Sequence, residues 1–365
     1  MKSLYYVNPN SIAPILKYPE IADWKSMYRA ISYAVGLIDR SNQFIQPINT
    51  SVYSGCNLPP LQSQSLTYRD CCNNRATELW ELSGRLQKPL GIMWSGGIDS
   101  TRMLISFLEN YSLSEIKDRI RILTSYDAVV ENQEFFRKYI AGKLPISNSE
   151  SIPLLFDKSI ILLTGEHNDQ LFGSDMLKSF MLDRPDIFHK NFSKDIIFSY
   201  LNAKIKIDKV TSILIDAVCR SASTYGITIE KNADWFWWWN FCFKWQSVNF
   251  RLMVLCSPKL WSNISEEFMN TYLHHFYDST DFQLWSINSQ DVRNITKWID
   301  YKKQAKVEIF EFDKNQDYLD NKLKKPSLRT VYVQRTVFEG IDTNFNIIPK
   351  LDLADIYLPD NEFKI

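Results

Sequence analysis

The chain predicts an α/β fold, a parallel sheet followed by a mainly helical C-terminal part, and three observations carry that reading. Apolar runs alternate with helix-like segments between residues 81 and 190. Two of those runs end in loops built from glycine, hydroxyl and acidic residues. Beyond residue 190 the pattern turns mainly helical. Taken in order, Leu90–Trp94 reads as a strand and Thr101–Tyr111 as a helix, because Leu104, Phe107, Leu108 and Tyr111 recur at three- and four-residue spacing. Ile120–Tyr126 is the next strand, Glu131–Ile140 the next helix and Ile160–Leu163 a third, buried strand. Strands joined through helices pair in parallel by right-handed crossovers. The chain thus divides into an N-terminal region of unassigned role (1–80), an α/β domain (81–190) and a mainly helical region (191–365) that closes on it.

The first strand runs into Ser95-Gly96-Gly97-Ile98-Asp99-Ser100-Thr101. A strand, a glycine turn and a helix start make an anion site. Glycines allow close approach of backbone N–H groups, hydroxyls add donors, and the helix dipole favours negative charge. Asp99 would repel a bare phosphate, so its presence points to a divalent cation between carboxylate and phosphate. The common P-loop needs four residues between its glycines and then Lys-Ser/Thr, and that pattern is absent here. The third strand runs into Thr164-Gly165-Glu166-His167-Asn168-Asp169-Gln170-Leu171-Phe172-Gly173. Read alone, Asp169 is a helix N-cap, and His167 is either a substrate contact or a partly buried structural histidine.

The Ser-Gly-Gly-x-Asp-Ser order resembles the PP-loop of the ATP pyrophosphatases, the adenine nucleotide alpha hydrolase-like group. The second loop is similar to the Ser-Gly-Glu-Gly-Ala-Asp-Glu-Leu-Phe-Gly-Gly stretch of the asparagine synthetase family. Gly165, Glu166, Asp169, Leu171, Phe172 and Gly173 match it, whereas His167 and Asn168 replace a small pair and Gln170 replaces an acid. The likeness covers about 85 residues well and is weak elsewhere. It implies an ATP-dependent, AMP-forming carbon–nitrogen ligase. ATP would sit on Ser95, Gly96, Gly97, Asp99, Ser100 and Thr101, with Ser125 and Gly165 bordering it and Tyr126 beside the adenine. Asp99 and Asp169 would hold Mg²⁺, and Glu166 would assist the attacking amine. A lysine late in the family's chain stabilises the adenylate. The loosely matching stretch here, Asn321–Arg329, offers Lys324 first and Lys325 second. Lys302 and Lys303 read as phosphate contacts or as surface charge. The implied partners are a small-molecule or peptide carboxylate and an amine donor, ammonia or a substrate amine. Position 2 is Lys2, and no room remains for the family's N-terminal glutaminase domain, so ammonia made in the same chain is not expected.

Composition sets outer limits. The 365 residues suffice for one large or two ordinary domains. Lys plus Arg balances Asp plus Glu at 42 each, so no global field recruits nucleic acid or an anionic membrane, although a local basic patch stays compatible with nucleic acid. The six cysteines include no Cys-x-x-Cys pair, and no apolar signal core or 18-residue apolar run occurs, so a cytoplasmic setting is expected. Self-association is left open. Asp234–Trp245, with aromatics on all sides, reads as a buried core helix, the alternative being an aromatic wall of the acceptor pocket or a nucleobase-stacking surface. Lys244 and Arg251 flank a turn after it and reach toward anions. Two other readings stand beside the ligase: a PP-loop enzyme modifying a nucleobase or tRNA, and a non-catalytic ATP-binding relative.

Overall fold

The computed structural model describes residues 3–7, 38–42, 51–52, 54–148, 158–254, 265–289, 292–293, 295–297, 300–321, 340–342 and 347–348. Two short parallel strands, β1 (Ser3–Val7) and β2 (Ser51–Val52), belong to a small sheet completed by β8 (Gly340–Asp342) and β9 (Ile347–Ile348).

The main sheet is all parallel. Its strands are β3 (Leu90–Met93), β4 (Ile120–Thr124), β5 (Ile146–Asn148), β6 (Ile161–Thr164) and β7 (Leu273–His275), in the order β5-β4-β3-β6-β7. β3 lies at the centre, with Leu90 paired to Ile120 on one side and to Ile161 on the other. Its Leu90 and Ile92 are fully buried on one face and Gly91 is buried on the other, as a sheet covered on both faces requires. The chain moves outward from β3 to β5 and then jumps back across β3 to β6. In open α/β sheets that reversal opens a crevice at the carboxyl ends of the two strands flanking it. The loops after β3 and β6 are the two that sequence singled out.

The helices cover both faces. α1 (Tyr68–Leu86) starts with a capping box, in which the Thr67 hydroxyl and the Asp70 carboxylate each take the other's backbone N–H. It packs on α2 (Ile98–Asn110), and α3 (Leu113–Arg119) leads into β4. The predicted helix over Glu131–Ile140 is broken up. α4 (Tyr126–Glu131) ends before Asn132, whose side chain caps a short turn at Gln133–Phe135, and Phe136–Ile140 follows as a π-turn. Asn132 competes with the helix for backbone groups, which explains the break. α5 (Asn168–Leu171) and α6 (Ser174–Asp183) follow β6, then α7 (Lys194–Ile205) and α8 (Asp208–Tyr225). α9 (Asn232–Phe243) is the tryptophan-rich segment. Trp235, Trp237, Trp238 and Trp239 are all at most 1% exposed, so it is a core helix. α10 (Trp245–Val254), α11 (Glu266–Thr271), α12 (Thr280–Asn288), α13 (Lys303–Asp313) and α14 (Gln316–Asn321) complete the described chain. Among the described residues no helix is long and apolar enough to cross a membrane.

β7 carries a pH-sensitive group. Burial, reinforced by the nearby Arg75 charge, pushes the His274 imidazole down from 6.5 to about 4. Between those values the unfolded chain takes up a proton that the folded chain refuses, so stability falls as the pH drops. Chemical denaturation at pH 7 and at pH 4.5 should show a loss of about 2 kcal/mol that is absent in His274→Gln. An equal acid loss in both chains would refute this assignment.

Candidate active site

The first loop connects β3 to α2. The Ser95 N–H donates to Ser100 Oγ at 2.9 Å, and the Ser95 and Ser100 hydroxyls lie 2.9 Å apart. The Gly97 N–H donates to Ser95 Oγ at 3.3 Å, and Ser100 Oγ donates to the Gly97 carbonyl at 3.3 Å. Both serines therefore shape the turn. Thr101 lies deeper: it is fully buried, and its hydroxyl accepts from the Trp94 indole at 3.2 Å. Gly96 has φ +71°, and a Cβ there would sit 2.3 Å from the Ala128 carbonyl oxygen. Only glycine fits that turn. The Tyr318 hydroxyl donates to the Gly96 carbonyl at 3.0 Å, which pins the turn from α14. α2 opens at Gly97 with no side-chain cap, and its first helical bond is Thr101 N–H to the Gly97 carbonyl. The Ile98, Asp99 and Ser100 amides precede that bond and have no acceptor within the helix. Ser125 stands at the end of neighbouring β4. It is 9% exposed, and its hydroxyl caps α4 by accepting from Ala128 N–H at 3.3 Å.

The second loop leaves β6 and meets the first. A Cβ on Gly165 would lie 3.1 Å from both Asp99 Cβ and Ser100 N, so the absence of a side chain lets the loops touch. Glu166 is partly buried beside Gly165, and its backbone N–H donates to Thr164 Oγ1 at 3.3 Å. His167 adopts φ +73° and turns inward, stacking on Trp245 with ring centroids 4.4 Å apart. Asn168 is fully buried. Its Nδ2 donates to Asp99 Oδ1 at 2.7 Å, and its Oδ1 accepts from the Tyr68 hydroxyl at 3.0 Å. The Tyr277 hydroxyl donates to the Asp99 backbone carbonyl at 2.8 Å.

A lysine closes the arrangement. Lys302, the residue before α13, sits in the left-handed region at φ +57°. Its Nζ lies 2.7 Å from both carboxylate oxygens of Asp99 and 2.6 Å from Asp169 Oδ1. The neighbouring Tyr301 hydroxyl donates to Asp169 Oδ1 at 2.8 Å. The Lys302 side chain is 6% exposed, whereas that of Asp169 is 53% exposed and faces the opening. Burial works against the Lys302 charge, but the two carboxylates outweigh it and hold the ammonium above its usual range. Burial raises the Asp99 carboxyl against the pull of Lys302. Desolvation acts upward on Asp169 as well, yet Lys302 and Tyr301 pull harder, and this half-exposed carboxyl is held below the usual range.

Two carboxylates and one ammonium leave a net negative charge beside an uncapped helix N-terminus. The ammonium is a stand-in for a cation, and it marks a place that both carboxylates can reach. Among the described residues no three His, Cys, Asp or Glu side chains gather as a metal group. A divalent cation on Asp99 and Asp169 would complete its shell with phosphate oxygens and water, which is the habit of Mg²⁺. The two carboxylates fit a metal that draws its remaining ligands from outside the protein.

Lys324 and Lys325 lie outside the described residues. The lysine that reaches the two acidic loops is Lys302. Sequence left it between phosphate contact and surface charge, because nothing local distinguishes it from Lys303. Asn168 stood out only as a departure from the resembling loop, and Tyr301 and Tyr277 were assigned no role, since their partners lie 69, 132 and 178 positions away. Comparisons with protein-family models, with curated proteins and with solved structures find no significant match to this chain.

The Gly96 turn can be tested by thermal unfolding. Gly142 also has positive φ (+70°), but a Cβ there meets nothing within 4 Å. Gly142→Ala should cost about 1 kcal/mol from backbone strain alone, and Gly96→Ala about 2–4 kcal/mol because strain and clash combine. Equal costs would show that the Ala128 contact does not hold the turn.

Proposed function

We propose that this chain is an ATP-dependent, AMP-forming amide ligase on a PP-loop fold, resembling the synthetase half of asparagine synthetase. The observation that carries this reading is the convergence of Asp99, Asp169 and Lys302 where two adjacent parallel strands end. A glycine turn and the open N-terminus of α2 lie beside them. The glycine–hydroxyl motif brings in the first loop, the resemblance to a synthetase loop brings in the second, and the lysine supplies the positive charge that they lack.

In this reading the triphosphate lies over Ser95–Gly97 and the first-turn amides of α2. Asp99 and Asp169 would hold a Mg²⁺, which would offset the charge of the triphosphate. A substrate carboxylate oxygen forms a bond to the α-phosphorus as the bond to pyrophosphate breaks, giving an acyl-adenylate. An amine then forms a bond to the acyl carbon, and AMP departs with the electrons of the carbon–oxygen bond. Glu166, partly buried in the loop after β6, takes the amine proton, a role open to a carboxylate. Lys302 offsets charge that builds on the α-phosphate and then on the acyl oxygen. Fixed charges at developing anions are often the largest catalytic contribution. Asn168 and Tyr301 keep the two carboxylates aimed while this happens.

With ATP, Mg²⁺ and a pool of carboxylates and amines, turnover should release AMP and pyrophosphate. ADP and phosphate in their place would overturn the reading. Lys302→Ala should lower turnover by about 10²–10³-fold, the scale seen when one oxyanion-stabilising group is removed. The Lys324→Ala/Lys325→Ala double variant should stay within about threefold of the parent, or about 0.7 kcal/mol. The reverse ranking would move the catalytic lysine to the later stretch.

A further inference from the structure

The Lys302 ammonium has three hydrogens and three acceptors. It donates to Asp99 Oδ1 at 2.7 Å, to Asp99 Oδ2 at 2.7 Å and to Asp169 Oδ1 at 2.6 Å. A lysine has no fourth donor. In this position it can offer nothing to a phosphate or an acyl oxygen, and it covers the same carboxylate oxygens that a metal would need. A divalent cation placed about 2.0–2.1 Å from those oxygens would stand too close to a second positive centre sharing them. The carboxylates themselves do not depend on the ammonium for their aim. Asn168 Nδ2 also holds Asp99 Oδ1, and the Tyr301 hydroxyl also holds Asp169 Oδ1. The lysine is therefore the one member of the group that can leave while the acceptors stay in place.

We infer that Lys302 and a divalent cation are alternative occupants of the Asp99–Asp169 pair, so that a metal entering with its nucleotide releases the ammonium toward the reacting phosphate and acyl group. The nucleotide part rests on the function proposed above, whereas the exchange of cations does not. Without metal, the lysine screens two carboxylates that would otherwise repel each other across the crevice. Free metal must displace a buried, fully bonded ammonium and binds weakly. A metal carrying a triphosphate brings new anionic acceptors for that ammonium, and the exchange becomes favourable.

The test uses Mn²⁺ alone, with no nucleotide, titrated against the full chain and followed by electron paramagnetic resonance. Lys302→Met should bind Mn²⁺ about tenfold or more tightly than the parent, because the competing cation is gone. Lys303→Met removes the same charge one residue away and should stay within about twofold of the parent. If Lys302→Met binds no more tightly, or Lys303→Met gains as much, the exchange is wrong. A second measurement uses the unmodified chain and so survives a folding failure of the variant. Reductive methylation read by mass spectrometry should find Lys302 protected without metal and several-fold more reactive in millimolar Mn²⁺. Unchanged reactivity would also overturn the proposal. Neither arm contains ATP, so failure of the ligase reading, seen as ADP release, is distinguishable from failure of the exchange.

Discussion

A single ammonium between two carboxylates sets the terms for the rest of this molecule. A buried lysine without partners is costly, and so are two carboxylates brought together without a cation. Each group is tolerable only because the others are present. Loops from β3 and β6 and the start of α13 must therefore meet within a hydrogen bond's length. A second charged contact enforces that meeting. Arg102 lies one turn beyond Asp99 on α2, is fully buried, and binds Glu308 of α13 through Nε at 2.5 Å. α2 presents acid and then base, and α13 presents base and then acid. The two helices are joined at two points, and sliding one along the other would break both ion pairs.

The sheet explains why the crevice opens here. A central strand with the chain reversing around it leaves the ends of β3 and β6 side by side, with their loops diverging above. Gly96 and Gly165 answer different demands at that spot. Gly96 supplies a backbone conformation and an approach to α4 that a side chain forbids. Gly165, whose φ is ordinary, supplies the space in which the loops touch. The same crevice could hold an anion without Asp99 and Asp169. With them it needs a cation, and Lys302 supplies one from within the chain.

Sequence revealed the parts of this site that are encoded locally. The strand, glycine turn and helix around Ser95–Thr101 are adjacent in the chain, so period and composition found them, and the equally local turn after β6 stood out through its resemblance to a synthetase loop. The all-round burial of α9 followed from aromatics on every face. What depends on long-range closure stayed hidden. Lys302 and Lys303 look alike in sequence, and only the left-handed turn before α13 sends one inward and leaves the other exposed. Asn168 occupies a position where the resembling family has a small residue, and that departure forms the hydrogen bond between the loops. Strands β5 and β7 are three residues each, too short for a period to register. α1 went unremarked although Thr67-x-x-Asp70 announces its start. Its importance to the site is that Tyr68, its first residue, reaches Asn168.

The tryptophan helix links packing to the crevice. An α-helix apolar on every face gains from burial but gives its neighbours no register, since apolar contact has no direction. α9 carries a narrow polar stripe that supplies one. Trp237, Asn240 and Lys244 follow at spacings of three and four and so share a face. The Trp237 indole donates to the Leu171 carbonyl at 3.1 Å, Asn240 Nδ2 to the Gln170 carbonyl at 2.9 Å, and Lys244 Nζ to Ser174 Oγ at 3.4 Å. All three acceptors lie in the chain just after Asp169. The Gln170 carbonyl at the end of the short helix α5 also accepts the Gly173 N–H at 3.4 Å, and α9 adds side-chain donors to the last carbonyls of that helix. The Ser286 hydroxyl of α12 adds a second donor to the Leu171 carbonyl at 2.6 Å. The carboxylate facing the opening is thus carried on a turn whose far side is fastened into the most densely aromatic part of the core. Directional bonds set the position of that turn, and the surrounding rings make displacing it expensive. Asp169 can be half exposed and still stay in place beside Asp99.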